Sequence, residues 1–269
     1  MKKTLTVAAV QMACSVGEKE KNLSRALELL NRLPSGVEIV CLPELFNTGY
    51  HLGIMEEKLA ELAEPLPGPT TQRMAEVARV RGLGIVGGIV ERAGDAFYDS
   101  AFLIDPNGRL VGVHRKTHLY PPERAYFQPG EGLETFELCG TRVGVAICFE
   151  HAFPPIFTTL ALKGAQVIFI PSAVPVGYEY LLDLRTRARA QDNQLFVVAT
   201  NLTGENGETQ FCGRSQIVSP KGEVLAKAGR EEGAVVAQLD LSLIERERRQ
   251  EPVLSLLRPE LYVYCKEAG

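Results

Sequence analysis

A cysteine stands where an apolar run gives out. The stretch VGVAICFEHAFPP (Val143–Pro155) reads as a buried strand of small and branched residues that ends at Cys148 and passes into Glu150, His151 and two prolines. A thiol at such a strand end can face a cleft with backbone N–H groups nearby. To act as a nucleophile it needs a proton acceptor and a group that holds the charge developing on the attacked oxygen. Histidine is the commonest acceptor, yet none of His51, His114, His118 and His151 is singled out by its surroundings. Two other places are. CLPELFNTGY (Cys41–Tyr50) sets Glu44 just past a strongly apolar strand, and VHRKTHLYPPE (Val113–Glu123) sets Lys116 at the end of another, with Glu123 seven residues on. Each charge alone is an ordinary solvated strand terminus. Together they occupy strand ends, where mixed α/β proteins assemble their sites. The bland alternative, a buried inert thiol, suits Cys41 or Cys212 better than Cys148.

Hydrophobic rhythm supplies the elements that must position these groups. Strands are expected at Thr4–Met12, Val37–Leu42, Gly84–Glu91, Ala96–Ile104, Leu110–Arg115, Arg142–Cys148, Gln166–Ile170, Leu195–Thr200, Phe211–Val218, Glu223–Ala226 and Ala234–Leu239. Helical spacing marks Glu20–Leu33, Thr70–Arg81, Pro155–Lys163, Tyr180–Asp192 and Leu241–Arg249. The two halves repeat one order, each ending in a hairpin, around DPNG (Asp105–Gly108) and SPKG (Ser219–Gly222). Strands alternating with helices predict mixed sheets with helices outside. Two like halves stacked sheet on sheet predict an α/β fold of four layers, αββα, with residues 1–269 forming a single domain. GLGIVG (Gly82–Gly87) matches a dinucleotide fingerprint, but a helix precedes it and a strand follows, the reverse of the order that motif needs.

Composition narrows the classes. With 45% hydrophobic and 23% charged residues the 269-residue chain can bury a large core without disulfides or metal. A net charge of -4 with no basic block gives no reason to expect nucleic acid or an anionic membrane as partner. Six scattered cysteines with no C-x-x-C pair argue against a zinc site. The opening MKKTLTVAAVQMAC imitates a secretion signal, but Gln11 breaks its apolar run and helical rhythm follows at once, so a first core strand is expected. A cytoplasmic protein with reduced thiols is the expectation.

The blocks LPELFNTGY, HRKTHL and GVAICFE resemble the three signature blocks of the carbon–nitrogen hydrolase family, the nitrilase superfamily. RARAQDNQLFVVATN (Arg187–Asn201), GRSQIVSPKGEVLA (Gly213–Ala226) and RPELY (Arg258–Tyr262) are similar to its later segments, so the likeness runs nearly end to end. The resemblance implies a Glu–Lys–Cys triad at Glu44, Lys116 and Cys148, and a second glutamate, Glu123, that orients the lysine and the substrate. It also implies the αββα fold, no metal or organic cofactor, and a homodimer or higher homo-oligomer paired through helices. Pro155, where many relatives carry an acid, is a departure that bears on the loop after the cysteine.

The chemistry this implies is hydrolysis of a small primary amide through a thioester on Cys148. Lys116 is expected to depress the thiol's pKa, Glu44 to take and return the proton, and Lys116 with the Phe149 backbone N–H to hold the oxyanion. Tyr50, Tyr120, His151 and Tyr178 are candidate pocket residues. Between Cys148 and Leu184 the only full cation is Lys163, at a helix end. Relatives that read a free α-carboxylate are expected to carry arginine soon after the cysteine, where this chain has His151-Ala152-Phe153. A neutral or weakly polar amide is therefore expected over an N-carbamoyl amino acid. The rivals are a nitrilase, a catalytically silent binding protein on the same fold, and a redox sensor with Cys139 as resolving thiol.

Overall fold

The computed structural model describes residues 2–262. Its first half runs β1 (Thr4–Gln11), α1 (Lys19–Asn31), β2 (Ile39–Cys41), α2 (Leu52–Leu62), α3 (Pro69–Arg81), β3 (Gly84–Ala93), β4 (Ala96–Ile104) and β5 (Leu110–Arg115). The second half runs β6 (Thr135–Leu138), β7 (Thr141–Val145), α4 (Pro154–Leu162), β8 (Val167–Ser172), α5 (Glu179–Asn193) and β9 (Phe196–Asn201). It continues through β10 (Thr203–Asn206), β11 (Thr209–Cys212), β12 (Gln216–Val218), β13 (Val224–Lys227), β14 (Gly233–Asp240) and α6 (Ser242–Gln250).

Two six-stranded sheets result, in the orders β14-β1-β2-β3-β4-β5 and β13-β12-β9-β8-β7-β6. Their topologies match strand for strand. In each, three parallel strands form the middle (β1, β2, β3 and β7, β8, β9), a hairpin extends one side, and an antiparallel strand closes the other. The closing strand is β6 in one sheet and β14 in the other, so the first sheet is completed only by the end of the chain.

Alternation along the strands explains the layers. Val7 and Ala9 of β1 and Val167 and Phe169 of β8 face the other sheet, packing with Ile39, Val86, Val143, Val145 and Val198. Their neighbours Ala8 and Val10 lie under α1 and α3 with Leu23, Leu30, Met74 and Ala78. Ile168 and Ile170 lie under α4 and α5 with Phe157, Leu160, Leu182 and Ala190. Burial on both faces is why the middle strands read as unbroken apolar runs. The order helix, sheet, sheet, helix is the one expected. The GLGIVG segment follows α3 and runs into β3, so its order is the reverse of a nucleotide-binding turn.

Three local expectations are corrected. The strand Phe211–Val218 is two strands, because Gly213 and Arg214 adopt φ of 64° and 59° and no extended chain passes through left-handed residues. The strand Arg142–Cys148 stops at Val145, and Cys148 itself has φ 41° and opens a short 3₁₀ turn, Cys148–Ala152. The elements α2, β6 and β10 were not expected. Pro155 causes no disruption: Pro154 and Pro155 open α4, where a missing N–H costs no intrahelical bond. Among the described residues all five cysteines are free thiols, and Cys265 lies outside that range.

Candidate active site

Glu44 follows β2. Leu42 N–H still pairs with Val86 O of β3 at 2.8 Å, and Phe46 N–H with Gly88 O at 3.1 Å, so the chain hugs β3 while Leu45 takes φ 47°. Gly88 makes this approach possible: a Cβ there would lie 2.8 Å from Glu44 Cα. Lys116 follows β5, its N–H bonded to Asp99 O of β4 at 2.9 Å. The ammonium donates to Glu44 Oε1 at 2.5 Å, Glu123 Oε1 at 2.8 Å and Asp99 Oδ2 at 3.1 Å, and all four side chains are buried. Glu123 sits in a 3₁₀ turn, Pro121–Ala125, where Oε2 accepts the Tyr120 N–H at 2.8 Å. Its Oε1 also accepts the Tyr50 hydroxyl at 2.7 Å.

Glu150 ties the cysteine to the lysine. Its carboxylate accepts from Ile147 N–H (2.6 Å), His114 Nε2 (2.8 Å), Thr117 N–H (2.8 Å) and Thr117 Oγ (2.5 Å). Ile147 precedes Cys148 and Thr117 follows Lys116, so one buried side chain ties the two segments to each other. These donors, led by the charge of His114, outweigh the burial that would raise it and hold the Glu150 carboxyl at about 2.

The electrostatics set Lys116 against burial at the thiol. Burial pushes the Cys148 thiol well above its ordinary value, Glu44 adds to this, and Lys116 and the Ala173 N–H only partly oppose it. Lys116 thus pulls the thiol in the expected direction, and burial outweighs it. Burial likewise pushes Glu44 well above the usual carboxylate range, against the pull of Lys116 and with the push of Asp99 and Glu123. Burial alone would lower Lys116, but Glu44, Asp99 and Glu123 hold it well above its ordinary value. One carboxylate oxygen from each of Glu44, Asp99 and Glu123 lies within 4.8 Å of the other two, a donor set of the kind that holds a cation. Lys116 Nζ bonds all three, so the chain supplies the positive charge itself.

Cys148 opens onto a cavity of about 510 Å³. Tyr50, Tyr120, His151 and Tyr178 all line it, with Phe149, Glu123, Phe211 and Arg185. Tyr50 is committed to Glu123, and Tyr120 and Tyr178 are 44% and 51% exposed at the mouth. Burial, with Arg185 and Arg189 nearby, lowers the His151 imidazole to about 3, so it is neutral. The Phe149 N–H lies in the first turn after Cys148, where a helix start leaves donors without intrahelical partners. The premise of a cation-free pocket is corrected: Arg185, one residue beyond the stretch it considered, reaches the cavity from α5, while Lys163 bonds Leu133 O and Glu134. Cys139 is at the wrong end to resolve Cys148, since the five residues of β7, ~3.3 Å each, intervene.

Residues 6–249 match the carbon–nitrogen hydrolase family. The chain belongs to that family. A nitrilase of Pyrococcus abyssi is 41% identical over 90% of this chain and 92% of its own. The omega-amidase of Danio rerio is 36% identical over 91% of each. Among solved structures, an amidase from Nesterenkonia sp., with the acetamide moiety of fluoroacetamide covalently added at its active-site cysteine, superposes with a TM-score of 0.79 at 25% identity, covering 95% of this chain and 97% of that one. The chain is an enzyme of carbon–nitrogen hydrolysis, as the ordered Glu44, Lys116 and Cys148 blocks imply.

Sequence reasoning missed Asp99, the anchoring by Glu150 and the reach of Arg185. The first had a signal: Asp99 is the one charged residue of β4, in AFYDSAFLI, and a lone carboxylate inside an apolar strand needs a partner. Arg185 had none, because helical phase alone does not say which side of α5 faces a cavity.

Proposed function

We propose that the protein hydrolyses a small primary amide to a carboxylic acid and ammonia, with Cys148 as nucleophile. The observation that carries this reading is the Lys116 ammonium held by Glu44 and Glu123 beside a thiol that opens onto a cavity of about 510 Å³. Glu44 takes the thiol proton as Sγ bonds the amide carbon, and the carbonyl oxygen becomes an oxyanion held by Lys116 and the Phe149 N–H. Glu44 gives the proton to the nitrogen, the C–N bond breaks and ammonia leaves a thioester on Cys148. Water then gives a proton to Glu44 as its oxygen bonds the acyl carbon. The C–S bond breaks, the acid departs and the sulfur recovers the proton. Glu44 suits both steps because burial raises its pKa well above the usual carboxylate range. Glu123 holds Lys116 and Tyr50, and His151 faces the substrate with Tyr120 and Tyr178 at the mouth.

Arg185 favours a refinement of the substrate: an amide carrying a carboxylate at its far end. The guanidinium lines the cavity, and no carboxylate among the described residues pairs with it. The name of the omega-amidase relative accords with this. Free thiols accord with a cytoplasmic setting. Tyr180 and Leu184, a turn apart on α5 and 63% and 64% exposed, accord with pairing of subunits through helices.

The test is a panel of matched amides, nitriles and carbamoyl acids with Cys148→Ala as control. Ammonia from amides, an acyl adduct on Cys148 by mass spectrometry and no turnover by Cys148→Ala are expected. Turnover by that variant would refute the reading, and faster conversion of nitriles would make the chain a nitrilase. A panel with and without a distal carboxylate, run on Arg185→Leu, tests the refinement: KM should rise for the charged amides alone.

A further inference from the structure

Asp99 grips Lys116 at both ends, through its main-chain carbonyl (2.9 Å) and through Oδ2 (3.1 Å). With Glu44 and Glu123 it makes three buried carboxylates around one buried ammonium. Fully ionised, the cluster would carry two surplus negative charges in a place shielded from water. Carboxylates sharing one low-dielectric site cannot all ionise, so at least one holds a proton. Two orphan atoms locate it. Glu44 Oε2 and Asp99 Oδ1 are buried, and neither meets a donor among the described residues. One carboxylate oxygen of Glu44 and one of Asp99 lie within 4.8 Å of each other. One proton between them satisfies both oxygens.

We propose that Asp99 is a positioning residue whose carboxylate shares a proton with Glu44, so that the acid–base group beside Cys148 is the Glu44–Asp99 pair. The inference rests on the amidase reading above. When Cys148 gives its proton to Glu44, the proton Glu44 already holds crosses to Asp99. As the C–N bond breaks, Glu44 protonates the leaving nitrogen and Asp99 returns its proton, leaving the pair as it began. The cluster thus avoids accumulating charge while the oxyanion forms beside Lys116. The groups facing Asp99 are Glu44 from the loop after β2, Lys116 from the end of β5 and Glu123 from its 3₁₀ turn. Tyr50 joins through Glu123, and Cys148 through Glu44 and Lys116.

The experiment is the pH profile of kcat/KM for Asp99→Asn, which keeps the size and an oxygen for Lys116 but neither the charge nor the proton site. Without the neighbouring anion Glu44 loses its proton more readily. The acid limb of the profile should move down by about one pH unit or more, and kcat should fall roughly 10²-fold as Glu44 becomes a poorer acid. A folded variant with an unmoved acid limb overturns the proposal, whatever its activity. Infrared spectroscopy decides independently of that variant's folding: wild type at neutral pH should show a buried protonated-carboxyl band that Glu44→Gln removes, and absence of the band overturns the proposal. Cys148→Ala separates the two levels. If it turns over substrate, the amidase reading is wrong; if it is inert while the acid limb of Asp99→Asn stays put, only the shared proton is wrong.

Discussion

Glu150→Gln tests how much of the site depends on one anchor. The carboxylate is held at about 2 against an ordinary 4.5, by His114, Thr117 and Ile147 working against burial. Because the folded value lies below the unfolded one, its stabilisation is present above about pH 4.5 and is lost as pH falls toward 2. At neutral pH that difference is worth about 3 kcal/mol. Glutamine has the same shape, but one of its two ends is an NH2 group. That end cannot accept, so two of the four donors from Ile147, His114 and Thr117 lose their partner inside the core. At roughly 2–4 °C per kcal/mol for a chain of this size, the melting temperature at pH 7 should fall by roughly 6–12 °C. Thermal melts from pH 7 down to pH 3 provide the assay, and the gap between wild type and variant should narrow across the acid range. Turnover should also fall, since the link from Thr117 to Ile147 is weakened. A variant that melts with wild type at pH 7, or a gap that stays constant down to pH 3, would refute the reasoning.

Gly88→Ala places a methyl 2.8 Å from Glu44 Cα and 2.9 Å from Leu45 N, backbone atoms that cannot swing aside. A loss of about 1–3 kcal/mol and a larger drop in kcat than in KM are expected, read by urea melts and steady-state kinetics. Lys116→Met leaves three buried carboxylates without their cation and should cost about 3–5 kcal/mol, seen as a lowered melting temperature that recovers partly at acid pH as the carboxyls protonate. Since Cys148 is pushed well up by burial, its reaction rate with a small neutral alkylating agent should keep rising above pH 9. A plateau below pH 7 would show a resting thiolate and remove the need for proton transfer during attack.

Much was legible in the chain because its strands are buried on both faces. Val167–Ile170 and Phe196–Ala199 read as unbroken apolar runs, and the two hairpin turns carry their Pro and Gly in plain view. Less was legible where elements are short, since β6 and β10 have four residues each, while α2 was missed although Leu52, Met55, Leu59 and Leu62 keep helical spacing. Gly213 and Arg214 break a strand through backbone dihedrals, which apolar patterning does not encode.

The sequence by itself determined which groups could do the chemistry, because a carboxyl, an ammonium and a thiol each stand just past the end of an apolar strand. It also determined the layers, since alternation on two buried faces leaves only stacked sheets with helices outside. Tertiary structure alone decided the electrostatics. That burial pushes the Cys148 thiol up, that Asp99 joins Glu44 at Lys116, and that Arg185 enters the cavity all depend on which atoms come within a few ångströms once residues far apart in the chain are packed away from water. Burial and neighbouring charge set those properties, and neither exists until the two sheets have closed on each other.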